Sequence, residues 1–271
     1  MSDSKAPIPP LLLVGCGRMG QAMLAGWNKD GLAPSWIVDP ETELPKASQH
    51  RIARSAGDVP ATFQPAAVIL AIKPQVAEQA MRALSARIGN AVVLSIMAGR
   101  TLSGLREALP NAGGLVRAMP NTPAAIGRGV SVAVADRNTS ASHRALCDRL
   151  LRAAGTVEWV EDEAQLDAVT AVSGSGPAYV FLLAELLEKA AMTQGLPPSL
   201  ARTLARETVA GAGALLAAWP DQDAATLRRN VTSPNGTTQA ALEVLMREEN
   251  WPDATEKAID AATRRSRELA S

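Results

Sequence analysis

Short apolar runs separated by longer mixed segments dominate the first part of the chain. Runs at 11–14, 36–38, 67–72, 91–96, 115–118, 130–135 and 157–160 are predicted strands. Several are continuously apolar rather than alternating, as expected for strands covered on both faces. Between them, 21–30, 75–85, 103–109 and 140–154 carry helical spacing. The last of these places Leu146, Leu150 and Leu151 on one face and ends before Gly155, a helix-stop residue. This alternation predicts an α/β fold built on a doubly wound, mostly parallel Rossmann-type sheet.

After Glu163 no good strand recurs. Helices are predicted at 164–172, 177–194, 199–219, 222–230, 238–248 and 253–269, divided in part by Leu196-Pro197-Pro198 and Trp219-Pro220. Two domains are therefore expected, 1–163 built on the sheet and 164–271 helical. Gly211 and Gly213 in an alanine-rich helix fit either close helix–helix approach or an ordinary core helix. Faces this apolar predict that another copy of the chain completes the core. The apolar stretch around 178–192 is interrupted by Glu185, Glu188 and Lys189, so it reads as a buried or interfacial helix rather than a membrane span. The polar, proline-rich first ten residues read as a disordered lead. The run at 11–14 is too short for a signal peptide, so a cytoplasmic protein is expected.

Charge and composition narrow the classes. Twenty-seven Lys and Arg balance twenty-seven Asp and Glu, which argues against a nucleic-acid or anionic-membrane surface. Two histidines (His50, His143) and two distant cysteines (Cys16, Cys147) offer neither a metal cluster nor a disulfide framework. No metal is expected.

Gly15-Cys16-Gly17-Arg18-Met19-Gly20 fits G-x-G-x-x-G between a predicted strand and a predicted helix. Gly15 suits the tight turn, Gly17 the approach of a pyrophosphate, and Gly20 the packing of helix on strand. The alternative is a merely tight strand–helix turn. Asp39 ends the second strand, where an acidic residue accepts hydrogen bonds from the adenosine ribose. A carboxylate about 5 Å from a 2′-phosphate would repel it by roughly 3 kcal/mol per charge at an effective dielectric near 20. No arginine lies within the next ten residues to offset this, and Lys46 is the nearest cation. Asp39 thus leans toward NADH, unless its side chain simply begins a turn at Pro40. Cys16 reads either as a small space-filler or as an oxidation-sensitive thiol.

Further strand ends carry restricted loops: Ala71-Ile72-Lys73-Pro74-Gln75, Ser95-Ile96-Met97-Ala98-Gly99 and Arg117-Ala118-Met119-Pro120-Asn121-Thr122-Pro123. On one sheet rim these favour a cofactor crevice over independent turns. The helical half adds Ser173-Gly174-Ser175-Gly176-Pro177-Ala178-Tyr179. It also holds Asn230-Val231-Thr232-Ser233-Pro234-Asn235-Gly236-Thr237-Thr238, a polar loop leading into a helix. Backbone N–H groups there could hold a carboxylate or could serve capping alone.

Together these motifs resemble the pyrroline-5-carboxylate reductases, in order and spacing from Leu11 to Leu269. The resemblance implies reduction of the cyclic imine 1-pyrroline-5-carboxylate to L-proline, the last step of proline biosynthesis, with NADPH or NADH. It implies that Gly15, Cys16, Gly17, Arg18, Met19 and Gly20 hold the pyrophosphate and that Ile72, Lys73, Pro74 and Ala98 line the cofactor. It also implies that Ser233, Pro234, Asn235, Gly236 and Thr237 bind the substrate carboxylate and that Thr238, the catalytic residue, hydrogen-bonds the ring nitrogen. Asn230 and Asp221 lie in the neighbouring stretch. A homodimer sharing its sites is implied, assembled in many members into a larger ring such as a decamer. Asn235 departs from a glycine common in the family, but asparagine tolerates left-handed backbone angles. Asp39 also departs, since many members accept NADPH readily.

The chemistry suits a histidine-poor chain. Reducing a carbonyl develops an alkoxide that needs a proton donor, whereas a protonated imine brings its own proton. A rival in the same fold, a β-hydroxyacid dehydrogenase, needs a catalytic lysine in the helical half. Only Lys189 and Lys257 lie there, neither in a recognisable catalytic motif. A non-catalytic nucleotide sensor is the other rival.

Overall fold

The computed structural model describes residues 6–85 and 87–270; residues 1–5 of the proline-rich lead lie outside the described residues. The rest of the lead is anchored rather than disordered. Ile8 is fully buried, and it accepts the Ala33 N–H at 2.8 Å while donating to Gly31 O at 3.2 Å. One large apolar side chain is enough to fix this segment on the core.

The elements up to residue 159 are β1 (Leu11–Val14), α1 (Arg18–Lys29), β2 (Trp36–Val38), β3 (Arg51–Ala53), β4 (Ala67–Leu70), α2 (Pro74–Leu84), β5 (Val92–Ser95), α3 (Leu102–Ala108), β6 (Gly114–Met119), β7 (Gly129–Ala135), α4 (Ala141–Arg152) and β8 (Gly155–Trp159). They build one eight-stranded sheet in the order β3-β2-β1-β4-β5-β6-β7-β8. Every pairing is parallel except β6 with β7. The order reverses between β1 and β4, which is where an open α/β sheet leaves its crevice.

Alternate residues of the buried strands serve opposite faces. Leu11, Leu13, Ile37, Ile69 and Leu94 join Met23 and Trp27 of α1 and Leu150 and Leu151 of α4 in one cluster. Leu12, Val14, Val38, Leu70 and Val93 join Met81 and Leu84 of α2 and Leu105 of α3 in the other. This two-sided cover is why the strands read as continuous apolar runs. Trp27 is fully buried, and its ring N–H donates to Leu150 O at 2.8 Å, so no polar atom is stranded there.

β3 was not among the expected strands. The residue before it, His50, is buried: its Nδ1 accepts the Ser35 N–H at 3.2 Å and its Nε2 lies 2.6 Å from Asn28 Oδ1. The ring is therefore the neutral Nε2–H tautomer, and burial pushes its pKa below the ordinary 6.5. The unfolded chain then binds the extra proton first as pH falls. Stability should drop as pH goes below about 6.5, down through the lower folded pKa. Urea unfolding between pH 7.5 and 5 should show this slope in the wild type and lose it in His50→Gln. Equal slopes in both would assign acid sensitivity elsewhere.

The remaining elements are helical: α5 (Gln165–Val169), a π-turn over Thr170–Gly174, α6 (Gly176–Thr193), α7 (Pro198–Ala218), α8 (Ala224–Asn230), α9 (Thr237–Leu245) and α10 (Trp251–Leu269). The chain packs as two units, one running to Gly174 and joined by the stretch from Ala262, the other spanning Ser175–Ala261. α5 belongs to the sheet unit because Leu166 packs with Met119 and Val134. Ser266 also belongs there, donating to Asp167 Oδ1 at 2.7 Å.

Within the helical unit α6 and α7 pack on each other, yet only Ala201 and Ala205 are buried among its described residues. Val180, Phe181, Leu182 and Leu186 of α6 are all exposed, as are Leu215 and Leu216 of α7. Among the described residues one helical stretch, Gln165–Thr193, is long and apolar enough by composition to cross a membrane. The π-turn interrupts it, and Lys189 pairs with Glu185 at 2.7 Å on its surface.

Candidate active site

The three glycines of the first turn are glycine for different physical reasons. Gly15 has φ +89°, and a Cβ there would lie 2.6 Å from Ala71 O and 2.7 Å from Ile72 Cγ2. Gly20 has no room either, since a Cβ would sit 2.5 Å from Gly15 O. These two let α1 start directly against β1 and β4. Gly17 differs. Its φ of −68° suits any residue, and a Cβ would meet nothing within 4 Å.

Neither backbone nor packing therefore demands glycine at 17. What a side chain there would obstruct is the space in front of the α1 N-terminus. Gly17 is the N-cap of α1, contributes no capping side chain, and is followed by no acidic residue in the first turn. The first-turn N–H groups and the positive end of the helix face outward, as required for phosphate. The residues present fit a dinucleotide.

Cys16 is 2% exposed and packs in the core cluster with Leu13 and Met23. Burial pushes its thiol pKa up, and the Asp39 charge adds to this against a hydrogen bond from Thr42. A thiol kept protonated is a poor nucleophile, so the space-filling reading of Cys16 is the one the structure favours.

Asp39 is committed to the turn. Its Oδ2 accepts the Cys16 N–H at 2.7 Å, and its Oδ1 accepts the N–H groups of Glu41 at 2.9 Å and Thr42 at 2.8 Å. Burial disfavours the charge, but these backbone donors outweigh it and hold the carboxyl below its ordinary range. Asp39 thus begins a turn at Pro40 and braces the glycine turn at the same time. Thr42, which the sequence did not single out, donates from Oγ1 to Cys16 O at 3.3 Å. The available signal was Asp-Pro followed by polar residues, the composition of an Asx-turn.

The neighbouring strand ends carry the other expected cofactor residues. Half-buried Ile72 lies against Gly15, exposed Lys73 is the N-cap of α2, and Pro74 opens that helix. Ala98 is exposed beyond β5, beside Gly99, whose φ of +75° and proximity to Leu269 O leave no room for a side chain. With β2, β1, β4 and β5 adjacent in the sheet, Asp39, residues 15–20, Ile72 and Ala98 follow successive strands on one rim. Arg18 is exposed and Met19 half-buried at the start of α1.

Two other motifs brace rather than line. Arg117 is 3% exposed, and its Nη1 donates to Glu163 Oε1 at 2.8 Å, an oxygen that also accepts the Leu102 N–H. Asn121 Nδ2 donates to Ser173 O at 3.2 Å, while its Oδ1 accepts the Val130 N–H at 2.9 Å. The π-turn is thus tied to the strand end through Asn121.

The expected substrate residues lie in the helical unit. Asn230 ends α8 and donates to Gln222 Oε1 at 3.4 Å, and Asp221 lies in the exposed segment before that helix. Residues Ser233, Pro234 and Asn235 form a tight exposed turn, closed by the Gly236 N–H donating to Ser233 O at 3.0 Å. Asn235 has φ +57°, the one non-glycine with positive φ among the described residues. It adopts the left-handed conformation a glycine would adopt there, and its N–H donates to Gln239 Oε1 at 2.8 Å. Gly236 is the N-cap of α9 and brings no capping side chain, with no acidic residue in the first turn. Thr237 and half-buried Thr238 open this helix, whose N-terminal end thus carries neither a side-chain cap nor a negative charge.

Comparison with known proteins places both units in one family. Residues 163–269 match a family described as pyrroline-5-carboxylate reductase dimerisation, and residues 11–99 match one described as NADP oxidoreductase, coenzyme F420-dependent. The pyrroline-5-carboxylate reductase of Haemophilus influenzae is 36% identical, over 96% of this chain and 97% of its own. That of Pseudomonas aeruginosa is also 36% identical, over 97% of each. Among solved structures, the Coxiella burnetii pyrroline-5-carboxylate reductase superposes with TM-score 0.86 at 31% identity, covering 96% of this chain and 98% of that one. The Plasmodium falciparum pyrroline carboxylate reductase, with NADP bound, gives 0.83 at 25% identity over 98% and 100%. The chain belongs to the pyrroline-5-carboxylate reductase family.

Proposed function

We propose that the chain reduces 1-pyrroline-5-carboxylate to L-proline at the expense of NADPH or NADH. What carries this reading is that the curated relatives align over 97% of their own length, so both candidate half-sites are included. When bound, the nicotinamide supplies a hydride to the imine carbon. The rest is positioning by this chain.

Gly17 and the first-turn N–H groups of α1 hold the pyrophosphate, while Ile72, Lys73, Pro74 and Ala98 line the adjoining rim. The loop 233–237 holds the substrate carboxylate at the N-terminus of α9 through the N–H groups of Ser233 and Thr237, since Pro234 has none and those of Asn235 and Gly236 are donated within the turn. Thr238 Oγ1 hydrogen-bonds the ring nitrogen. No titrating histidine or lysine is required, because the protonated imine is already electrophilic.

Oxidation of NADPH and NADH with pyrroline-5-carboxylate, measured side by side, tests the reading. Thr238→Ala should lower kcat roughly tenfold, the worth of one hydrogen bond to a charged group, without changing the cofactor Kd. An unchanged kcat would remove Thr238 from the site, and no oxidation of either cofactor would overturn the activity.

The exposed apolar faces of α6 and α7 support a homo-oligomer formed through the helical domain, read as 164–271, with 1–163 as the dinucleotide-binding domain. A homodimer sharing its sites, assembled further into a ring such as a decamer, and a cytoplasmic location complete the proposal. Light scattering coupled to size exclusion separates dimer from ring.

A further inference from the structure

The sequence places no arginine within ten residues of Asp39, but the sheet brings one there. β2 and β3 pair in parallel with Val38 opposite Ala53, so Asp39 and Arg54 leave adjacent strand ends side by side. The Asp39 N–H donates to Ala53 O at 3.0 Å, holding the two strand ends together. Arg54 is exposed, and its Nη1 donates to Pro40 O across the top of β2. Among the described residues no other hydrogen bond or ion pair holds that guanidinium, so most of its five N–H donors face solvent at this rim.

Asp39 next to it stays ionised, but three of its about four acceptor positions are taken by backbone N–H groups, which leaves little of the carboxylate to accept from a ribose hydroxyl. The residue that sequence reading assigned to the adenosine ribose is thus an internal brace, and the free polar group beside it is a cation. In this fold the adenosine ribose lies beyond the end of the second strand, and a nearby arginine accommodates the 2′-phosphate of NADPH. Glu41 and Glu43 stand on the same loop, but both are exposed. Glu41 directly follows Pro40, so its charge opposes a phosphate at this rim, but solvent screens an exposed carboxylate while a direct guanidinium–phosphate contact is charge-assisted and screened far less.

We propose that Arg54 is the 2′-phosphate ligand of this reductase and sets its choice between NADPH and NADH. The assignment rests on residues 15–20 being the dinucleotide turn. Lysine would keep the charge at that position without the planar fork, and glutamine would keep a donor for Pro40 O without the charge.

The test is calorimetric binding to the full-length apo protein, using NADPH, NADH, 2′,5′-ADP and 5′-AMP as probes. Arg54→Gln should weaken NADPH and 2′,5′-ADP roughly tenfold or more, the loss of a charge-assisted contact, and leave NADH and 5′-AMP unchanged. Arg54→Lys should fall between, with wild-type melting temperature in both variants. NADH binding with NADPH affinity unmoved by Arg54→Gln would overturn the assignment, as would an equal loss for both cofactors. Binding of neither cofactor by the wild type would instead overturn the dinucleotide reading, and Arg54 with it.

Discussion

Gly17→Val should leave the apo protein folded and abolish cofactor binding, while Gly20→Ala should damage the fold itself. The contrast follows from where each Cβ would go. At Gly17 it meets nothing within 4 Å, and φ −68° with ψ −167° is extended backbone that valine adopts freely. Losing glycine at an N-cap costs about 1 kcal/mol, and the stiffer unfolded chain returns roughly 0.4–1 kcal/mol, so the apo melting temperature should barely move. The isopropyl group would occupy the space in front of the first-turn N–H groups. If two charge-assisted bonds to phosphate are lost, at about 1.5 kcal/mol each or more, affinity falls at least a hundredfold.

At Gly20 the added methyl meets Gly15 O at 2.5 Å, and backbone on both sides cannot give way cheaply. Pushing α1 off β1 should cost about 1–3 kcal/mol, a fall of several degrees in melting temperature for a chain of this size. Apo melting curves together with NADH and NADPH titrations check both variants. A Gly17→Val protein that binds cofactor normally would remove this turn from the site. One that fails to fold would mean that Gly17 has a structural duty its surroundings do not reveal.

The parts of this protein that could be read along the chain are those whose cause is local. Leu11–Val14, Ala67–Leu70 and Val92–Ser95 are continuous apolar runs because both faces are covered, and their pattern carries that information directly. Gly15 and Gly20 could be assigned their duties because a strand–turn–helix imposes them. β3 could not be read this way. Arg51-Ile52-Ala53 is three residues with one large apolar side chain, and it becomes a strand only because β2 offers it an edge. Asp39 was visible as an acidic residue at a strand end, but which donors its carboxylate would meet depends on how the chain turns at Pro40. The same pairing that hides β3 hides Arg54, since neighbours across a parallel sheet are distant in sequence. The left-handed angle at Asn235 was legible only through the resemblance, which has glycine there in many members, and asparagine is among the few other residues that tolerate it.

Phe181→Asp should turn the protein into a monomer. Phe181 is 68% exposed in a single chain, among Val180, Leu182 and Leu186 on a helix with no buried residue. A helix this apolar on all sides needs either lipid or protein around it. Glu185 and Lys189, paired on its surface, together with the π-turn that precedes it in the chain, favour protein. In a two-fold dimer each substitution acts twice. Losing the burial of a phenylalanine costs about 2–3 kcal/mol per chain, and a carboxylate forced into an apolar interface adds to it. Roughly 5 kcal/mol across the two-fold weakens association by more than three orders of magnitude. Sedimentation at micromolar concentration should then show a single chain in Phe181→Asp and the wild-type assembly in Phe181→Leu, which keeps the apolar contact. If the active site draws on both chains, turnover per chain should fall with dimer content as Phe181→Asp is diluted, while NADPH binding, which needs only the sheet unit, persists. A Phe181→Asp protein that remains fully assembled would exclude this face of α6 from the interface and leave its exposed apolar surface to another partner.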